Sequence, residues 1–171
     1  MVTTDEIGRK APKRASIGLL LALAALTVLV HALVGGRYGF HRDELATLDD
    51  ARHLAWGYVA YPPVTPFFGW LSLQLFGTSL SGFRFFASLA GGVAIVLTGL
   101  MARELGGGRG AQLFAACAGT PMVIATGTLM QYVSFDYLAW VAVAFFMARL
   151  CCTNDARWWL AVGAAIGFGM L

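Results

Sequence analysis

Long apolar stretches separated by short polar turns run through this chain. Residues 16–34 carry a single polar ring, His31, and are long enough to cross a bilayer as a helix. Comparable segments follow at 83–102, 111–129, 132–150 and 158–171, with Pro121 predicting a kink in the third. The last would supply about 21 Å of helix, short of a hydrocarbon core of about 30 Å. The chain is therefore expected to stop inside a membrane helix, as the N-terminal part of a longer protein. Residues 35–82, the first outer loop, are too many for a simple connector. Within them, 43–56 place Leu45, Leu48, Ala51 and Ala55 at helical spacing, with Asp49, Asp50 and Arg52 on other faces. That pattern predicts a helix lying along the membrane surface. Residues 64–75, introduced by Pro62-Pro63, are apolar but too short to span, and read as a second interfacial or re-entrant helix. The expected fold class is an all-α integral membrane protein: a polytopic helix bundle with interfacial helices in its first outer loop, and no soluble domain or internal repeat.

Composition supports this and narrows the function. Of 171 residues, 58% are hydrophobic and 12% charged, about half the charge of a soluble domain. The net charge of +3 forms no basic stripe with interleaved aromatics, which excludes nucleic acid as a partner. Basic residues set the orientation. With residues 1–15 in the cytoplasm, that side carries Arg9, Lys10, Lys13, Arg14, Arg103, Arg109, Arg149 and Arg157, against Arg37, Arg42, Arg52 and Arg84 outside. The expectation is a multi-pass cell-membrane protein with a cytoplasmic N-terminus and an extracytoplasmic first loop. No clear cleavage site follows residue 31, so the first segment reads as an uncleaved signal anchor. Cys117, Cys151 and Cys152 have no Cys-x-x-Cys spacing and read as small apolar fillers or edge thiols. The glycine-rich stretch 106–110 follows a helix instead of a strand and reads as a flexible turn, not a phosphate cradle.

The candidate chemistry lies in the outer loops. Asp43 and Glu44 fall in the first turn of the surface helix, where negative charge suits the helix dipole. They read either as helix-end acids or as carboxylates facing an extracytoplasmic cavity. Consecutive helical positions point about 100° apart, so one can face the cavity while the other pairs with Arg42 or Arg52. Asp136, near the head of the fourth segment, reads as an N-cap or helix-end charge, or as a second acid across the same cavity. Arg84 reads as an interfacial anchor or as a cation for a lipid phosphate. His41 and His53 lack metal-ligand spacing. Trp56, Tyr58 and Tyr61 fit an interfacial aromatic belt, and Asp49 and Asp50 a solvated face.

In order, Phe40-His41-Arg42-Asp43-Glu44-Leu45, then Ala51-Arg52-His53-Leu54-Ala55-Trp56-Gly57-Tyr58-Val59, then Tyr61-Pro62-Pro63 resemble the first outer loop of the dolichyl-phosphate-mannose–protein mannosyltransferase superfamily. That superfamily includes the lipid A aminoarabinose transferases and other family 39 glycosyltransferases. The likeness continues through Phe76-Gly77, Ser79-Leu80, Arg84, the stretch 102–107 and Asp136, covering residues from about 16 to the end. The resemblance implies a GT-C fold, a polyprenyl-phosphate sugar donor and a site open to the extracytoplasmic side. It implies Asp43 as the base that activates an acceptor hydroxyl, which displaces the lipid phosphate with inversion. Glu44 would be its motif neighbour and Asp136 a second acidic site residue. Arg42, Arg84 and Tyr61 would contact substrate, and Pro62-Pro63 would shape the loop. General-base help of this kind is worth about 10²–10⁴ in rate.

Sugar and acceptor stay open at this stage: lipid, protein hydroxyl or glycan. No metal ligands are assigned, and a divalent metal stays possible, although the outer loops hold no Asp-x-Asp. Two other classes compete, a transporter or channel piece and a non-catalytic membrane scaffold. Transporters place carboxylates and broken helices near the membrane midplane, whereas these acids sit at helix ends on one side.

Overall fold

A computed structural model describes residues 16–171; the basic residues Arg9, Lys10, Lys13 and Arg14 lie outside the described residues. Among those described, the chain forms eight helices: α1 (Ile17–Val34), α2 (Arg42–Arg52), α3 (Val64–Phe76), α4 (Leu80–Phe83), α5 (Phe85–Glu104), α6 (Arg109–Gly127), α7 (Tyr132–Thr153) and α8 (Trp158–Met170). Helices α1, α5 and α7 are long and apolar enough to cross a membrane. Helix α6 runs through Pro121 without ending. The short α4, a single turn capped by the Ser79 hydroxyl, has no counterpart among the predicted segments.

Helix α5 is the hub, packing against α1, α6 and α7 and touching α3 and α4. Its buried face is built largely from small residues, among them Ala87, Ser88, Gly91, Ala94 and Gly99. Small residues let helix backbones approach where lipid supplies no hydrophobic drive for association. At Gly91 an added Cβ would lie 2.5 Å from Val123 Cγ1 of α6, so the α5–α6 approach requires glycine there. One core cluster joins Leu20 and Ala24 of α1, Ala94 and Ile95 of α5, and Ala116 and Val123 of α6. A second joins Phe83, Ala87, Met130 and Phe135 beneath α2 and α3, where Phe68 stacks on Phe135 at 4.9 Å. His31 in α1 satisfies its ring locally, with Nδ1 2.8 Å from the Thr27 carbonyl.

These contacts give the bundle two distinct ends. At one, the backbone N–H of Ser16 donates to Gln112 Oε1 at 2.9 Å, and Glu104 bridges Arg103 and Arg149 at 3.2 and 3.7 Å. Arg149 also lies over the Trp158 ring at 4.4 Å. At the other end, α2 and α3, which lie within the long α1–α5 connection, pack against each other, and Glu44 of α2 meets the Met130 N–H of the α6–α7 turn.

Helix α2 differs from its predicted form in length and in the face it buries. It ends at Arg52, because the Tyr58 hydroxyl lies 3.1 Å from the Asp50 carbonyl and accepts the Ala55 N–H at 2.8 Å. This gives the last turn partners outside the helix. Ala55 and Trp56 therefore fall beyond the helix, and the Trp56 ring is exposed. The buried face is Glu44, Thr47 and Ala51, while Leu45 points outward. A buried ion pair, described below, overrides the apolar pattern. Helix α3 buries Thr65, Pro66, Gly69 and Ser72 and stops at Gly77, whose φ of 63° suits a residue without a Cβ.

Candidate active site

His41 caps α2 in a reciprocal arrangement: its Nδ1 accepts the Asp43 N–H at 3.3 Å, and Glu44 Oε2 accepts the His41 N–H at 3.0 Å. This cap fixes the two acids in the first turn and sends them to different fates. Glu44 is fully buried. Its Oε1 accepts Arg84 Nε at 2.7 Å and the Met130 N–H at 2.9 Å, and its Oε2 accepts Arg84 Nη2. Arg84 also donates to the carbonyls of Gly35 at 2.5 Å and Gly39 at 3.2 Å. One ion pair thus ties the end of α1, the start of α2, the start of α5 and the α6–α7 turn. Burial pushes the Glu44 carboxyl up, but the Arg84 guanidinium and the His41 and Met130 N–H groups outweigh it, and its pKa lies below the ordinary value.

Two expectations change here. The buried acid, Glu44, pairs with Arg84 and is enclosed by donors, while the acid that pairs with Arg42 is Asp43, the exposed one. Arg84 is buried, with four hydrogen bonds committed to this same cluster, so it sits neither as an interfacial anchor nor as an exposed cation.

Asp43 is the exposed acid, with its side chain half open to the surroundings. Its Oδ1 accepts Arg42 Nε at 3.3 Å and its Oδ2 accepts Gln131 Nε2 at 3.2 Å. Arg42 is almost wholly exposed. Asp136 is also exposed and lies in the second turn of α7, not at its N-cap, which is Gln131. Its carboxylate makes no hydrogen bond or ion pair with another described residue. Gln131 and Asp136 are five residues apart, about 7.5 Å along a helix axis. Asp136 lines a cavity of about 280 Å³ together with Pro62, Thr65, Tyr132, Phe135 and Phe168. Asp43 does not line that cavity; it meets the head of α7 through Gln131. Larger hollows between α1 and α5 and beside Trp56 are apolar and hold no titratable side chain.

Tyr61 stands between the acids of α2 and this cavity. Its ring stacks on Tyr132 at 6.3 Å, and its hydroxyl donates to Asp50 Oδ2 at 2.5 Å. Burial and the Asp50 carboxylate push its pKa up to about 12, so it stays a neutral donor. Asp50 consequently does not belong to a solvated face. Asp49 does, paired only with His53 at 3.7 Å. Among the described residues, no three His, Cys, Asp or Glu side chains come together to hold a metal ion.

Two acids, an exposed cation and an aromatic shelf thus gather at one end of an apolar bundle. A family model described as dolichyl-phosphate-mannose-protein mannosyltransferase matches residues 60–171. The chain belongs to this family. It is accordingly a membrane glycosyltransferase of the mannosyltransferase, GT-C kind, built as a helix bundle. The matched span holds Tyr61, Arg84, Gln131 and Asp136, while the acids of α2 precede it. Neither a curated protein nor a solved structure matches the chain.

Both acids and Asp136 stand out in the sequence; Gln131 does not. Its signal was slight: one amide directly ahead of an apolar helix, on the side where Asp136 lies.

Proposed function

We propose that the protein transfers a sugar from a polyprenyl-phosphate donor to an acceptor hydroxyl on the extracytoplasmic side of the membrane, with Asp43 as the base. The observation that carries this reading is the division of labour in the acidic pair: Glu44 is neutralised by Arg84, and Asp43 stays accessible at the mouth of the bundle. In the reaction, Asp43 takes the acceptor proton and the acceptor oxygen bonds to the anomeric carbon. The bond from that carbon to the phosphate oxygen breaks, and its electron pair leaves with the lipid phosphate, inverting the centre. Arg42, exposed beside Asp43, would meet the negative charge of that phosphate. Asp136, unpaired in a cavity walled by Tyr132, Phe135 and Phe168, would accept hydrogen bonds from a sugar or acceptor.

Sidedness rests on charge. Arg103, Arg109, Arg149 and Arg157 fall at the bundle end opposite α2 and α3, and Arg9, Lys10, Lys13 and Arg14 precede α1. The positive-inside rule then supports a multi-pass topology with that end in the cytoplasm. Sugar transfer from a polyprenyl-phosphate donor in membranes tests the assignment. Asp43→Asn is expected to lower kcat by about 10²–10⁴ while the protein stays folded. Equal rates for wild type and Asp43→Asn would remove Asp43 as base and favour a non-catalytic role for the pair.

A further inference from the structure

Two consecutive residues of the α6–α7 turn dock onto two consecutive acids of α2. The Met130 N–H holds Glu44 at 2.9 Å, and the Gln131 side chain holds Asp43 at 3.2 Å. The first contact belongs to the buried clamp. The second reaches an exposed carboxylate that the clamp leaves alone. Gln131 occupies the N-cap of α7 with an extended backbone, φ −137° and ψ 158°, yet its side chain caps nothing in its own helix. Its backbone is pinned on both sides, since its N–H donates to Leu129 O at 3.0 Å and its carbonyl accepts the Ser134 N–H at 3.2 Å. The side chain is therefore aimed from a fixed base. A carboxylate only accepts hydrogen bonds, so the amide nitrogen must face Asp43.

We infer that Gln131 is a positioning residue: it selects the rotamer in which Asp43 presents a free lone pair to the acceptor. The inference rests on Asp43 being the base. Asp43 has two other close partners on its own segment. Arg42, almost fully exposed, donates to Oδ1 at 3.3 Å, and the His41 ring is 3.7 Å from Oδ2; both belong to the head of α2, which carries Asp43, and move with it. Gln131 alone among these ties the carboxylate to α7, the helix that carries Asp136. It is also neutral. A lysine or arginine at this position would hold the carboxylate as firmly but would compete with the acceptor proton for it. An uncharged donor orients the base without adding to the positive charge that Arg42 already places 3.3 Å from its Oδ1. This registers the proton-accepting oxygen against the Asp136 cavity, five residues further along α7.

The test is steady-state transfer in membranes by wild type, Gln131→Met, Asp43→Asn and the double variant. Methionine keeps the length and volume of glutamine and removes the donor, leaving the Met130 N–H on Glu44. The expected result is about a tenfold loss in kcat with KM for donor and acceptor unchanged. In the Asp43→Asn background the further loss on adding Gln131→Met should vanish, because the two residues act as one unit. Detergent-solubilised Gln131→Met should melt like wild type. Unchanged kcat in Gln131→Met, with Asp43→Asn inactive, overturns the inference and leaves the base assignment standing. An equal loss in both backgrounds, or a lowered melting temperature that accounts for the loss, also overturns it. Full activity in Asp43→Asn removes the base and the positioning role together.

Discussion

Replacing Glu44 by glutamine should unlock the α2 end of the bundle. The two side chains have the same shape, so packing is unchanged and the effect isolates charge and hydrogen bonding. Glu44 receives four donors: Arg84 Nε, Arg84 Nη2, and the N–H groups of His41 and Met130. Glutamine offers one acceptor oxygen, and its NH₂ must face donors on the other side. Leaving one buried donor unsatisfied costs about 1–3 kcal/mol, and breaking a buried ion pair costs about 3–5 kcal/mol. Arg84 keeps the carbonyls of Gly35 and Gly39, which places the expected loss near the lower end of that range, about 3 kcal/mol. Arg84→Met should cost a similar amount, and the double variant less than the sum of the two, since each single change strands the other partner.

Acid sensitivity provides an independent signature. The folded Glu44 pKa is depressed, so its contribution is present above the ordinary value of 4.5 and drains away as pH falls below it toward the folded value. Denaturation of the solubilised protein, followed between neutral pH and that acidic window, should show this slope in wild type and a weaker one in Glu44→Gln. A glutamine variant as stable as wild type, with the same acid slope, would refute the clamp.

Other perturbations probe separate parts of the molecule. Gly91→Ala places a Cβ 2.5 Å from Val123 Cγ1 and should cost about 1–3 kcal/mol by overpacking; Gly18→Ala, with no atom within 4 Å, is the matched neutral control in the same melts. Tyr61→Phe removes the hydrogen bond to Asp50 and should cost about 1 kcal/mol, read by unfolding at neutral pH. Because the folded Tyr61 pKa is raised from 10.0 to about 12, the contribution of that hydroxyl is present below pH 10 and lost as pH rises toward 12. A tyrosinate absorbance titration compared with Tyr61→Phe would reveal one late-ionising phenol.

The apolar segments were legible because lipid imposes a simple rule: every backbone polar group must be paired within the segment, so a long apolar run must be a helix. The acids at the mouth were legible for the complementary reason, since charge near lipid stands out against so sparse a background. Where the helix α2 ends, and which way it faces, was not. Its apolar spacing pointed to Leu45, but a side chain at Arg84, forty positions away, draws Glu44 inward and turns Leu45 out. Asp50 likewise looked solvated until Tyr61 folded back on it.

By itself, then, the sequence determined a membrane helix bundle with an acidic pair at one end, because burial in lipid and charge at an interface are local properties of short segments. Only the tertiary structure decided which acid is locked and which is free. That choice depends on donors from Arg84 at the head of α5, His41 at the head of α2 and Met130 in the α6–α7 turn arriving at one point. A glutamate with four such donors becomes structure, and the aspartate beside it, met by the exposed Arg42 and a neutral amide from α7, stays half exposed.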